Sequence, residues 1–432
     1  MKKGLLVLTA LVAFVFALPI MSEAKIEITG AALLSAQDID FDTTAGVLDE
    51  DFNFNDPRVN LYVNGEVSDK ISVTAKFWAS NDWSSENQRA GGVGVFNGVN
   101  TSNTPVGGTG GNFGALNDSV EMLRAYLTLK DFMGSGFDLK VGTIDIPYGW
   151  EYMMRTNNGD DMKNDFITNS LLDINGGDDG LSISGSFDMG QTSTPLAWEL
   201  AVLNGGDVTD GNPSGSSNGS RSNDDLAWAI RAEVGVMENL TMQASYYTSD
   251  NRKDGEQDPL NVGSAFLVQN INANNNNGNL AGLVFTNDVV GGYERDMWEL
   301  SAKYDYGQGY LMAMWGNIDA DTGSAATVTA GNREYDYWGV QGRYNFDENS
   351  YVAGRWNRIE PDYTVSGVAN NLGDPELWTI AAGYKLADNA MVKAEWSSFD
   401  EDGNGFSNPA STATDNRKAD ADALTVAVGV SF

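Results

Sequence analysis

The chain has 432 residues, with 26 Lys and Arg against 60 Asp and Glu, so its formal net charge is −34 at pH 7. It contains neither histidine nor cysteine. The charge argues against nucleic acid as a partner, because phosphate binding needs clustered Lys and Arg. The two missing residue types exclude His-dependent nucleophilic catalysis, His-ligated zinc and haem, disulfides, thiol redox chemistry and iron–sulfur clusters. We therefore expect no catalytic residue, no metal site, no cofactor and no enzymatic activity.

The first 24 residues have the features of a secretory signal peptide. Lys2 and Lys3 form a positive n-region, and residues 4–21 carry no charge. Residues 22–24, Ser-Glu-Ala, supply the small-x-small pattern of a cleavage site. A short membrane anchor is the alternative, but the cleavage pattern favours removal. The sequence predicts an exported protein whose mature domain is 25–432.

Segments with alternating polarity recur through the mature domain, bounded by Gly, Asn and Asp. In the segment 225–236, for example, Trp228 and Ile230 alternate with Arg231 and Glu233. Such a period of two indicates β-strands with one apolar and one polar face. Sixteen strands are predicted, starting near residues 25, 57, 71, 119, 137, 180, 196, 225, 240, 297, 310, 333, 350, 376, 390 and 421. The alternation is weak in three of them, at 196–204, 310–318 and 350–360.

The connections between these predicted strands alternate between short and long. Residues 68–70 and 387–389 are two of the short ones, whereas 81–118 and 250–296 are two of the long ones. Short turns at one end and long loops at the other are typical of bacterial transmembrane barrels, with periplasmic turns and extracellular loops. A soluble β-sandwich has no reason to sort its connections in this way. We therefore predict an all-β fold, a transmembrane antiparallel β-barrel of about 16 strands, which is wide enough for an open lumen.

The register of the strands predicts which charges face the lumen. A slip of one residue in the strand 225–236 would turn Arg231 toward lipid, at a cost of about 2–4 kcal/mol. In the unslipped register the following bases point inward and are predicted to line the pore wall: Arg58, Lys76, Arg124, Lys140, Arg231, Arg343, Arg355 and Lys393. The first three come from early strands, opposite or adjacent to the third loop. Ion pairing with lumen acids such as Glu66 or Glu233 is the alternative role of these bases.

Two short motifs resemble those of a known family. The last strand alternates over 422–432 and ends on Phe432, as does the last strand of Gram-negative outer-membrane porins, in which a terminal Phe is recognised by the insertion machinery. The stretch Val141–Gly149, which ends in Pro-Tyr-Gly, is similar to the Gly-x-x-x-x-Pro-aromatic-Gly stretch that porins carry before the loop that folds into the pore. The third loop lacks the Glu-Phe-Gly-Gly of the general enteric porins.

The resemblance implies a water-filled outer-membrane channel for passive diffusion of small hydrophilic solutes and ions. It also implies contact with outer-membrane lipid and lipopolysaccharide, assembly as a homotrimer, and a role of Phe432 as assembly signal. The excess of acidic residues predicts a preference for cations. Two alternatives stay open: a substrate-selective channel, for example an anion-selective one served by the wall bases, and a non-conducting structural or adhesive barrel.

The third loop, 147–179, is predicted to narrow the pore. It follows the Pro-Tyr-Gly motif and is rich in acidic residues, and those expected at the constriction are Glu151, Asp160, Asp161, Asp165 and Asp173. The alternative is an ordinary solvated extracellular loop, since Asp and Asn are common turn residues. Acidic clusters in the other long loops could bind Ca²⁺, but none has the EF-hand spacing, which favours a solvated surface.

Overall fold

The computed structural model describes residues 25–43, 46–54, 58–81, 118–150, 164–167, 175–190, 194–204, 226–250, 260–261, 293–322, 331–365, 368–370, 374–401 and 419–432. Nearly all of these residues belong to β-strands or to the turns that join them. Within these ranges no helix is long and apolar enough to cross a membrane. The predicted signal peptide lies outside the described residues.

Nineteen strands are present in the described ranges, and all are antiparallel to their neighbours. In chain order they are β1 Lys25–Thr43, β2 Gly46–Phe54, β3 Arg58–Ser68, β4 Ile71–Asn81, β5 Asp118–Leu129, β6 Asp138–Asp145, β7 Asn175–Phe187, β8 Leu196–Leu203, β9 Ala227–Met237, β10 Leu240–Asp250, β11 Leu260–Asn261, β12 Tyr293–Asp305, β13 Gly309–Thr322, β14 Gly331–Asn345, β15 Ser350–Val365, β16 Val368–Asn370, β17 Pro375–Ala387, β18 Ala390–Glu401 and β19 Ala419–Ser431. Three of them, β2, β11 and β16, are additions that pair with β1, β7 and β15.

The other sixteen strands form a closed barrel. Each pairs with the wall strand that follows it in the chain, and β1 pairs with both β3 and β19. At the point of closure, Gly30 and Phe432 exchange two backbone hydrogen bonds of 2.9 Å. Every wall strand of the described ranges therefore has a partner on both sides, as hydrocarbon surroundings require. The prediction of a sixteen-stranded barrel is confirmed, and each predicted strand start lies within five residues of the observed one.

The two faces of the wall have the polarity opposite to that of a soluble protein. Trp228 and Ile230 on β9 and Ile380 on β17 point outward and are each about half exposed. Thr379 on β17 and Lys393 on β18 point inward and are only 1% and 2% exposed. An apolar outside and a polar inside are what a barrel in a membrane requires, so the predicted register is confirmed.

The short connections lie at one end of the barrel. The β3–β4 and β17–β18 turns contain two residues each. In the longer β5–β6 turn, the carboxylate of Asp131 accepts hydrogen bonds from the Gly136 N–H at 2.9 Å and from Lys70 Nζ at 3.1 Å. These two donors, the Gly136 N–H first, lower the pKa of Asp131.

The largest error in a predicted strand start is at β7. The strand β7 begins at Asn175, five residues before the predicted start near 180. Asp178 and Asp179, which were assigned to the third loop, therefore belong to the barrel wall, where Asp178 is fully buried. The Gly and Asp residues of this stretch resemble a loop in sequence, but pairing with Asp138–Asp145 keeps them in the sheet.

Candidate functional site

The chain that leaves β6 turns into the barrel instead of continuing beyond its rim. Residues 146–150 are all buried. Gly149 has a φ of +71°, which an L-residue adopts only at a cost and which glycine tolerates. Its N–H donates to Ser245 Oγ at 3.0 Å, and the Trp150 N–H donates to Glu299 Oε1 at 2.9 Å. The Pro-Tyr-Gly motif thus crosses to the inner face of β10 and β12.

Tyr148 in the same motif reaches β14. Its hydroxyl lies 2.9 Å from that of Tyr337, which in turn donates to Glu299 Oε2 at 3.2 Å. Because Tyr337 has only one hydroxyl proton and gives it to the carboxylate, Tyr148 must donate to Tyr337. Both tyrosines are fully buried, so the root of the third loop is fixed by a chain of hydrogen bonds that ends on one lumen carboxylate.

Residues 164–167 of the third loop make a second contact with the inner wall. The carboxylate of Asp165 is 5% exposed and accepts from Arg343 Nη1 and from the Tyr310 hydroxyl, both at 2.5 Å. Gln341 Nε2 donates to the Tyr310 hydroxyl at 3.0 Å, and the Tyr351 hydroxyl donates to the Asp165 carbonyl at 2.9 Å. Both oxygens of a nearly buried carboxylate are therefore satisfied by wall side chains.

The flanking residues are bound as well. Lys393 Nζ donates to the Asn164 carbonyl at 2.5 Å, and the Ile167 N–H donates to Glu395 Oε2 at 2.6 Å. The guanidinium group of Arg355 lies 4.4 Å from the centroid of the Phe166 ring, a favourable cation–π arrangement. We call residues 164–167 and their wall partners the clasp; the partners are Tyr310, Arg343, Tyr351, Arg355, Lys393 and Glu395.

The remaining predicted wall bases also have partners. Arg124 Nε lies 2.5 Å from Asp145 Oδ1, and Lys140 Nζ lies 2.9 Å from Glu199 Oε1. Arg231 pairs with Glu233, and Lys76 Nζ lies 5.4 Å from the centroid of the Tyr62 ring. Arg58 begins β3, but its side chain lies outside what the structure describes. Each predicted base with a described side chain thus contacts a carboxylate, a carbonyl or an aromatic ring.

Among the acids predicted at the constriction, only Asp165 lies within the described residues. Glu151, Asp160, Asp161 and Asp173 lie outside them, and their placement at a constriction stays a prediction. Three of the wall residues that hold the loop, Arg343, Arg355 and Lys393, were predicted to line the pore wall. The others were not predicted from the sequence, above all Tyr310, Tyr337, Glu299 and Glu395.

A signal for one of these missed residues, Tyr310, was present in a weakly alternating strand. Tyr310, Met312 and Met314 of β13 and Ile359 of β15 point inward and are buried, while Leu311 and Trp315 on the outer face are exposed. Both faces of β13 are apolar because the inner face packs in a hydrophobic cluster with residues 146–150. A lumen-facing run of Tyr and Met therefore marks the wall that the third loop covers.

Comparisons with known proteins agree with this architecture. Residues 7–404 match the family model of the Gram-negative porins. Outer-membrane-expressed OmpT of Vibrio cholerae is 11% identical, with a TM-score of 0.54 over 96% of this chain and 100% of that chain. The in-vitro folded OmpT in its trimer form is 12% identical, with a TM-score of 0.52 over 95% of this chain and 100% of that chain. The outer membrane channel DcaP of Acinetobacter baumannii is 12% identical, with a TM-score of 0.53 over 95% of this chain and 98% of that chain.

A search of curated protein sequences found no match. At identities this low the solved structures establish the fold, and the match to the family model establishes the family. The chain belongs to the Gram-negative porin family and forms an outer-membrane β-barrel channel for small solutes.

Proposed function

We propose that this porin is a passive, cation-preferring channel whose third loop narrows the lumen. The observation that carries the proposal is the clasp, because residues 164–167 lie inside the barrel and are bonded to its inner wall. A sixteen-stranded barrel leaves a wide aqueous lumen when nothing crosses it. A segment that occupies part of this lumen reduces the cross-section available to solutes, and its charges lie close to whatever passes.

The preference for cations is argued from the charges. The chain carries 34 more acidic than basic residues, while four of the predicted wall bases, Arg124, Lys140, Arg231 and Arg343, form ion pairs with carboxylates. An anion-selective channel would need uncompensated bases along the lumen. Surplus carboxylates at the mouth and in the loops raise the local concentration of cations instead.

Reversal potentials in a salt gradient across a planar bilayer test this proposal. We expect the sign of a cation-preferring channel. Changing Asp160 and Asp161 to Asn should reduce the preference at both low and high salt, because charges in a narrow passage are poorly screened. The control pair Asp254→Asn and Asp258→Asn should matter only in dilute salt, since the Debye length is about 10 Å at 0.1 M. Anion selectivity, or no conductance at all, would refute the function.

We also infer removal of residues 1–24 on export and assembly into trimers within outer-membrane lipid and lipopolysaccharide. The apolar outer face supports contact with lipid, and one related solved structure is described as a trimer form. The backbone hydrogen bonds between Phe432 and Gly30 close the barrel, and this position supports a role of Phe432 as the assembly signal. Deleting Phe432 should lower the outer-membrane level far more than the stability of the refolded protein. An unchanged cellular level would contradict this role.

A further inference from the structure

One tier of the inner wall holds buried polar side chains that lack hydrogen-bond partners. Gln243 on β10 is 3% exposed and Asn357 on β15 is 0% exposed, and both amide atoms of each are unpaired within the part of the chain that the structure describes. Ser301 on β12 is 4% exposed, and its hydroxyl is also unpaired there. The strand register places these three residues in one cross-strand row, which continues through Met314 and Gly339. Five unpaired polar atoms therefore share a single tier.

Such a tier is costly unless something binds to it. A buried polar group without a partner costs about 1–3 kcal/mol, and native proteins satisfy such groups with protein atoms or ordered water. We propose that this tier is a binding site for hydroxyl groups, supplied either by ordered water or by a small uncharged polyol. The site goes beyond the proposed function, because it requires neither ion selectivity nor solute passage.

The chemistry of the unpaired atoms selects the ligand. Each amide presents an unpaired NH₂ donor and an unpaired carbonyl acceptor. A cation could bind the carbonyls but not the NH₂ groups, and an anion could bind only the NH₂ groups. A hydroxyl group both donates and accepts, so it satisfies either atom. Turning either amide over leaves this selection unchanged, since both atoms of each are unpaired.

The spacing along the tier predicts two subsites. Gln243 and Ser301 are direct partners on adjacent strands, so one water-sized molecule can bond to both. Asn357 lies three strands beyond Ser301, about 14 Å away at ~4.8 Å per strand. Met314 and Gly339 separate the two subsites.

The tier lies in the seam between the two anchors of the third loop. Two residues along the chain from Gln243 and Ser301 are Ser245 and Glu299, which bind Gly149 and Trp150. Two residues before Asn357 is Arg355 of the clasp. The loop is therefore fixed to the wall on both sides of this tier, and the ligand completes the hydrogen bonding between them.

Crystallography at a resolution that shows ordered water tests the proposal directly. We expect density within hydrogen-bonding distance of Gln243, Ser301 and Asn357 in crystals grown without polyol. A soak in glycerol distinguishes the sources, since a polyol site exchanges its water for glycerol and a water site keeps it. Absence of density at both amides overturns the proposal.

Leucine variants give an independent measurement. Asn357→Leu and Gln243→Leu remove the donors and acceptors, so each should lower the temperature of heat-dependent unfolding by a few degrees if a ligand is bound. A buried amide without any bound ligand destabilises the protein, so its replacement by leucine would raise the unfolding temperature. A higher unfolding temperature in both variants would therefore overturn the proposal. Asn64→Leu is the matched control, because Asn64 Oδ1 accepts from Thr74 Oγ1 at 2.9 Å and its loss should be destabilising. The reversal potential of each variant, measured in parallel, reports on the proposed function separately.

Discussion

The inner faces of two parts of the barrel wall differ, although their outer faces are alike. In the β3–β4 hairpin the lumen side carries Asn60, Asn64 and Lys76, and the outward residues are apolar. In β13 the outward residues are again apolar, but the lumen side carries Tyr310, Met312 and Met314. The first inner face is mainly polar, whereas the second is apolar and packs against another part of the chain. The composition of an inner face therefore reports what covers it.

The difference has an energetic basis. Burial of a Met side chain contributes about 1.5–3 kcal/mol relative to exposure, and Met312 and Met314 are almost fully buried. If the loop left the wall, this contribution and the ion pair between Asp165 and Arg343 would be lost together. The covered wall therefore favours one position of the loop, whereas the described inner face of the β3–β4 hairpin is mainly polar.

Among these variants, Arg343→Ala on the covered wall should have the largest effect on stability and on conductance. The variant leaves Asp165 buried without its cation, and removing one partner of a buried ion pair costs about 3–5 kcal/mol. The clasp should open, and single-channel conductance in planar bilayers should rise. Lys76→Ala removes a base from the β4 wall and should leave conductance close to that of the wild type. Equal conductance in all three proteins would show that the clasp does not control the passage.

Met314→Ala tests the apolar part of the same contact. A buried Met→Ala change costs about 2–5 kcal/mol of stability. The temperature at which the protein unfolds, seen as a change of its mobility on SDS gels, should therefore fall clearly. On the other wall, Thr74→Ala removes only a hydroxyl bonded to Asn64, at about 0.5–1.5 kcal/mol. If the two variants lose the same stability, Met314 is not covered as the structure has it.

Gly149→Ala tests how the chain enters the lumen. At a φ of +71° an alanine costs about 1–2 kcal/mol, and relief of the strain would move the loop root away from Ser245. Both stability and conductance should change. Gly190→Ala is the matched control, since this turn glycine has a φ of +68° and a methyl group added to it would meet open space. It should lower stability by a similar amount and leave conductance unchanged.

The smallest effect is expected from the exposed ion pair between Lys70 and Asp131, which contrasts with the buried pair of the clasp. The folded-state pKa of Asp131 is lowered, so its stabilising contribution is present above the unfolded-state pKa of about 3.9 and is lost as the pH falls through the folded value. Asp131→Asn should therefore slightly reduce stability at neutral pH and not at strongly acidic pH. The unfolding temperature of the variant and of the wild type, measured after heating at each of the two pH values, tests this. If Asp131→Asn lost more stability than Arg343→Ala, the exposed ion pair would matter more than the buried one, contrary to this expectation.

The number of wall strands, their two faces and the two ends of the barrel could be predicted from the sequence. These features depend on local patterns, because a period of two separates lipid-facing from lumen-facing residues within each strand. The sequence also located the Pro-Tyr-Gly turn, where Gly149 adopts the positive φ that favours glycine. The strand β7 began earlier than predicted, because pairing with β6 outweighed its loop-like composition.

The wall that the third loop contacts, and the acid that it uses there, depend on contacts between residues far apart in the chain. Asp165 meets Tyr310 and Arg343, which are 145 and 178 residues away in the chain. Closure of the cylinder brings these residues together, and no local pattern specifies a partner at such a distance. The weak alternation of β13 is explained by the cover on its inner face, which became visible only in the closed barrel.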